Sequence, residues 1–135
     1  MRLAFLLLFA AACAPEAQIN LIEAPYLVDS YPGNGSVLPA DQAGPLLLRF
    51  SKPVAEASSA GSSLRVEALD QDGAVANEVP MSPCVADAEG LLLECPVAGE
   101  LSPSTRYRIT VEASLLFASG ETMTSDHQRW FQTMP

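Results

Sequence analysis

From Pro25 onward the chain is punctuated by clusters of Pro, Gly, Asp, Asn and Ser roughly every ten residues, and no apolar pattern keeps a helical period over three turns. Such spacing excludes a helical bundle, because each cluster ends a helix before it can bury a face. Short strands remain. Residues 106–112 alternate most cleanly, with Tyr107, Ile109 and Val111 on one face and Arg106, Arg108, Thr110 and Glu112 on the other. Leu46–Phe50 sets Leu46, Leu48 and Phe50 opposite Arg49, and Leu64–Leu69 sets Leu64, Val66 and Ala68 inward with Arg65 and Glu67 outward. Residues 25–31, 75–81 and 91–95 supply three more strands; 128–133 closes the set, with Phe131 inward and Trp130 on the opposite face. Pro32-Gly33-Asn34-Gly35 and Asp70-Gln71-Asp72-Gly73 are strong turn signals between them. Helix has room only at residues 54–60 and 113–118. About seven strands joined by such turns predict an all-β fold, a two-sheet β-sandwich.

At 135 residues the chain has room for one domain, about 110 residues of it once the N-terminal region is set aside. Asp and Glu outnumber Lys and Arg 16 to 7, for a formal charge of −9. The basic residues beyond Arg2 (Arg49, Lys52, Arg65, Arg106, Arg108 and Arg129) stand singly or on alternate positions. Nothing clusters to neutralise a phosphate backbone, so no nucleic-acid partner is expected. The same acidity opposes electrostatic docking on anionic lipid, and attachment to a membrane would have to be covalent or hydrophobic.

Met1-Arg2 forms a minimal positive n-region, and residues 3–12, Leu-Ala-Phe-Leu-Leu-Leu-Phe-Ala-Ala-Ala, are uncharged and apolar. A helix of that length reaches about 15 Å against a hydrocarbon core of about 30 Å, so the run has the length of a signal-peptide h-region. Its end, Ala10-Ala11-Ala12-Cys13, resembles the lipobox of bacterial lipoproteins, in which a cysteine after small residues is diacylated and becomes the mature N-terminus. The resemblance implies a lipoprotein signal peptide over residues 1–12 and lipidation of Cys13, with palmitate among the acyl chains. It departs from the pattern at Ala10, where the family prefers Leu, which leaves ordinary cleavage after Ala-x-Ala as the alternative. Ala14 is similar to the non-acidic residue of lipoproteins sorted to an outer membrane. Two or three acyl chains, at about 0.8 kcal/mol per buried CH₂, tether a protein almost permanently. Residues 13–24 would then be the lipidated cysteine and a tether, holding the domain about 15–20 Å from the acyl chains.

Lipidation of Cys13 removes the odd thiol from a set of three, and in an oxidising compartment Cys84 and Cys95 are then a natural disulfide pair. Ala86-Asp87-Ala88-Glu89-Gly90 between them reads as a turn, which puts the two on adjacent antiparallel strands. A bridge closing so short a loop is worth about 2–3 kcal/mol. Two isolated thiols without CxxC spacing make a poor zinc site.

Four segments, taken in order, resemble the S-layer-type bacterial immunoglobulin-like domain: Val28-Asp29-Ser30-Tyr31-Pro32-Gly33-Asn34-Gly35-Ser36, Leu48-Arg49-Phe50-Ser51-Lys52-Pro53-Val54, residues 101–111 and Trp130-Phe131-Gln132-Thr133. The resemblance spans residues 25–133 and implies a Greek-key, Ig-like β-sandwich over 25–135. Leu101-x-Pro103-x-Thr105-x-Tyr107 is also similar to the tyrosine corner of such sandwiches, where the ring packs inward and the hydroxyl bonds backbone upstream. The chain departs from the family over residues 113–120, which are unusually apolar. Leu115, Leu116 and Phe117 there either plug one end of the sandwich or form a partner-contact loop.

No constellation carries catalysis. His127 is the only histidine, and no Gly-x-Ser-x-Gly elbow, phosphate-binding glycine loop or HExxH accompanies it, so the chain is expected to be no enzyme and to need no cofactor. Asp70-Gln71-Asp72-Gly73 lacks the distal Glu of a calcium loop, Val79 standing in that place, and reads as a hairpin turn. Met123, His127 and Met134 are soft ligands that suit Cu(I). Two functions follow as expectations. The first is a lipid-anchored, non-enzymatic envelope module, at the outer membrane, with a structural or protein-interaction role and an envelope protein as partner. The alternative is a periplasmic ligand or copper carrier using the Met123/His127 region.

Overall fold

The computed structural model describes residues 23–135. The expected signal peptide, Cys13 and all but the last two residues of the expected tether lie outside them. Nine strands follow in chain order: β1 Leu27–Tyr31, β2 Ser36–Leu38, β3 Leu46–Phe50, β4 Leu64–Leu69, β5 Val75–Glu78, β6 Val85–Ala86, β7 Leu92–Cys95, β8 Arg106–Val111 and β9 His127–Thr133. They form a four-stranded sheet, β1-β3-β7-β6, and a five-stranded sheet, β2-β9-β8-β4-β5. Strands adjacent in space but distant in sequence, such as β3–β7 and β4–β8, require the chain to cross between layers, as a Greek-key sandwich does. The expected all-β sandwich is what forms.

All seven expected strands are present, and β2 and β6 are additional. At three and two residues these are too short to display an alternation; β2 depends on the remote β9, and β6 on β7, the strand that follows it. After the Pro32-Gly33-Asn34 turn the chain leaves the first sheet, and β2 pairs in parallel with the C-terminal β9, Ser36 opposite Phe131 and Leu38 opposite Thr133. The segment at 54–60 becomes in part a 3-10 helix, Ala57–Ser63. Residues 113–118 form no helix; Phe117 instead makes an antiparallel bridge to Val54.

The interior lies between the two inner faces. Leu46, Leu48, Phe50 and Leu93 from one sheet meet Val66, Ile109, Val111 and Phe131 from the other, all almost fully buried. Each such side chain contributes about 1.5–3 kcal/mol against the cost of ordering the chain. Phe50 and Phe117 meet edge to face at 5.6 Å, and Tyr107 stacks on Phe131 at 5.2 Å.

Two outward assignments need correction in degree: Thr110 lies on the outer face of β8 yet is only 1% exposed, and Glu67 is nearly as enclosed. Glu67 occupies the outer face of the five-stranded sheet, as its register requires, but only 9% of it is exposed. Arginines on that face explain the burial: Arg108 donates from Nε and Nη2 to Glu67 Oε1 at 3.1 and 2.8 Å, and Arg65 Nε lies 3.8 Å from Glu67 Oε2. A carboxylate this enclosed persists because charged donors replace its water.

Candidate functional site

Cys84 immediately precedes β6 and Cys95 ends β7, and the two sulfurs are bonded with their Cα atoms 4.2 Å apart. The turn between them is built locally: Asp87 Oδ1 accepts from the N–H groups of Leu91 and Leu92, and Gly90 takes φ +76°. A side chain at Gly90 would also press on Pro53, whose Cβ lies 3.3 Å from where the new Cβ would stand. Tyr107 is buried, and its Oη accepts from Ser102 N at 2.7 Å, five residues upstream. Thr133 fastens the same corner from β9, donating to Ser102 O at 2.6 Å while its Oγ1 accepts from Thr105 N at 3.0 Å. Asp70 organises the β4–β5 hairpin, Oδ1 accepting from Asp72 N and Ala74 N.

The apolar segment divides. Leu115 and Phe117 are 4% and 1% exposed and belong to the core, whereas Leu116 is 52% exposed. Leu115 and Phe117 plug the end of the sandwich, and as surface for a partner the segment reduces to Leu116. The three soft ligands do not converge either. Met123 is a core residue at 3% exposure, and Met134 follows the far end of the strand that His127 begins, about 20 Å away at about 3.3 Å per residue. His127 pairs with Val111 at the start of β9. Burial chiefly lowers its pKa from 6.5; the Arg129 charge adds to this and Asp126 opposes it. Among the described residues no three His, Cys, Asp or Glu side chains are grouped to hold a metal. Among them, too, no helix is long and apolar enough to cross a membrane.

Two surface features went unread in the sequence. An open groove of about 640 Å³ is bordered by Pro45, Val97 and Leu101 and by the carboxylates of Asp41, Glu94 and Glu100. The other is the outer face of the five-stranded sheet. Glu67 and Glu112 there engage Arg65 and Arg108, Arg65 Nη1 reaching the Glu112 carboxylate. Beside this network Trp130 is 39% exposed, fixed at both backbone atoms: its N–H donates to Asn34 Oδ1 at 2.8 Å, and its carbonyl accepts from Gly35 N. Arg106 is exposed on the same face, opposite Gln132 of β9. Alternation in residues 106–112 and 128–133 announces an outward row on each strand. Their adjacency is not announced, because register between strands is a tertiary property.

No family model matches the chain, and no curated protein matches it in sequence. Solved structures do resemble it. The S-layer protein rSbsC(31-844) aligns at TM-score 0.64 and 13% identity, over 88% of this chain and 15% of that one. PcoC, a copper resistance protein from Escherichia coli, aligns at 0.58 and 14% identity, over 80% of this chain and 98% of that one. The LD transpeptidase LdtMt1, solved in complex with imipenem, aligns at 0.51 and 15% identity, over 83% of this chain and 41% of that one. At such identities the likeness is one of fold alone, an immunoglobulin-like β-sandwich. The chain spans about one seventh of the S-layer protein that it resembles.

Proposed function

We propose that this protein is a lipid-anchored module of the bacterial cell envelope, non-enzymatic, held at the outer membrane through Cys13, with a structural or protein-interaction role. The observation that carries the reading is the likeness of 86–88% of the chain to single domains of a surface layer protein, joined to the lipobox-like Ala10-Ala11-Ala12-Cys13. Side chains with chemical potential serve the fold: two cysteines staple an edge, Tyr107 fastens a corner, and Glu67 binds arginines. Leu116, exposed at the plugged end, offers a small apolar contact to an envelope protein partner. Expressing the chain with labelled palmitate tests the anchor. Label on the wild type, with loss of both label and membrane association in Cys13→Ala, is the expected outcome; an unlabelled protein retaining Met1 overturns it.

A second reading is favoured by one observation, the likeness that covers nearly all of PcoC. In it the domain carries copper or another ligand at the Met123/His127 region. Burial of Met123 and the remoteness of Met134 weigh against this. Titration of the oxidised chain with Cu(I) decides it, and the absence of saturable binding at micromolar metal removes the carrier.

A further inference from the structure

We infer that the outer face of the five-stranded sheet binds an acidic polysaccharide at Trp130, with a pyranose ring flat on the exposed indole and a carboxylate on Arg106. This goes beyond the anchoring role and stands whether or not Cys13 is acylated. Trp130 is the chain's single tryptophan, and a large ring left 39% exposed on a rigid strand, with both backbone groups bonded to the 34–35 turn, is held ready for a flat contact. An aromatic face carries negative charge density and attracts the weakly positive C–H groups of a sugar ring.

Charge selects the kind of sugar. Arg49, Lys52, Arg65 and Arg108 all have carboxylate partners, whereas Arg106 and Arg129 have none among the described residues although the chain bears a charge of −9. Of these two, Arg129 donates to the Gln128 carbonyl and only Arg106 shares the outer row with Trp130. Arg106 is diagonal to Trp130, since it faces Gln132 while Arg108 faces Trp130, and diagonal cross-strand neighbours lie about 7–8 Å apart. An unpaired guanidinium fork at that distance suits the carboxylate of a residue whose ring covers the indole. Gln128 and Gln132, exposed on the same row of β9, present planar amides that both donate and accept, as sugar hydroxyls do. Thr110, opposite Gln128 on that face, holds the one buried side-chain polar atom without a hydrogen-bond partner among the described residues.

A protein partner fits this surface less well. The notch beside Trp130 measures about 110 Å³ and only Val37 adds exposed apolar surface, whereas stable protein interfaces bury about 800 Å² per partner around an apolar centre.

The lone tryptophan makes the test direct. Full-length protein in detergent is titrated with fragments of polygalacturonate, alginate and hyaluronate, with dextran as the neutral control, following indole emission. Saturable change with at least one acidic polymer, weakened by salt and much smaller with dextran, is expected. Arg106→Gln should bind about tenfold more weakly with an unchanged melting temperature, the loss typical of a charge-assisted hydrogen bond. By calorimetry Trp130→Leu should not bind. If that variant misfolds, Trp130→Phe, which keeps a smaller ring, should bind with reduced affinity. No saturable change with any of the three acids overturns the proposal, as does undiminished affinity in both Arg106→Gln and the Trp130 variant. Emission that responds only to envelope proteins assigns the surface to a protein and overturns it equally.

Discussion

In the four-stranded sheet the edge strand β6 has two residues and a covalent bond, Cys84–Cys95, ties its start to β7, whereas in the five-stranded sheet β4 and β8 share six paired residues beneath a layer of ion pairs. A two-residue strand has almost no ladder to secure it, so a cross-link that reduces unfolded-chain freedom contributes where hydrogen bonds are too few. A long ladder allows something else. It sets Arg108 directly across from Glu67, with Arg65 two residues along the same strand, so that a nearly enclosed carboxylate finds its donors without extra ordering cost. One sheet is stapled and the other is charge-matched over a common apolar interior.

The largest effect should come from the staple. Replacing both Cys84 and Cys95 by Ala is expected to lower stability by about 2–3 kcal/mol in denaturant unfolding. An unchanged midpoint would mean that β6 is held by packing alone and would remove the contrast. Next comes Glu67→Ala, which strands Arg108 on a face where its side chain is only 24% exposed, and should cost about 2 kcal/mol. Most of that loss should persist in 1 M salt, because screening acts weakly on enclosed pairs.

Tyr107→Phe removes one hydrogen bond and leaves Ser102 N unpaired while preserving the stack on Phe131, for about 1 kcal/mol by thermal or chemical melting. On the four-stranded sheet, Asp29→Asn breaks the pair with Arg49, whose side chains are 59% and 65% exposed, and should change stability by less than about 0.5 kcal/mol. A larger change there would place the first sheet's outer face on the same footing as the second's.

The smallest effect is pH-dependent. The pKa of His127 is lowered in the fold, so the unfolded chain takes up its proton first, and stability falls as pH drops through about 6.5 towards the folded value. His127→Gln should flatten that part of the stability profile, measured by denaturant midpoint across pH 5 to 7.

The inward rows were legible because alternation at a period of two is a local property: Leu46, Leu48 and Phe50, or Tyr107, Ile109 and Val111, point one way whatever they meet. Turn chemistry was legible for the same reason, and Asp70 and Asp87 each cap their own turns within five residues. The short strand β2 was not, since it exists only through the remote β9, and β6 showed only through the 86–90 turn that sets Cys84 beside Cys95. Nor was the division within 115–117, where an equally apolar neighbour, Leu116, is turned outward by the bridge from Phe117 to Val54. Met123 looked like a candidate ligand by its chemistry and proved to be core by its position.

What the residues alone determined, then, was the class of layer this chain builds and the interior it hides, because hydrophobic alternation and breaker placement act within a few residues. Which outward side chains became neighbours was decided only when β4, β8 and β9 came into register. Glu67 drew Arg108, and Trp130 came to lie beside Arg106, through pairings that span 41 residues and more than 20, respectively. Contacts so distant along the chain depend on strand order and register, which no local pattern encodes.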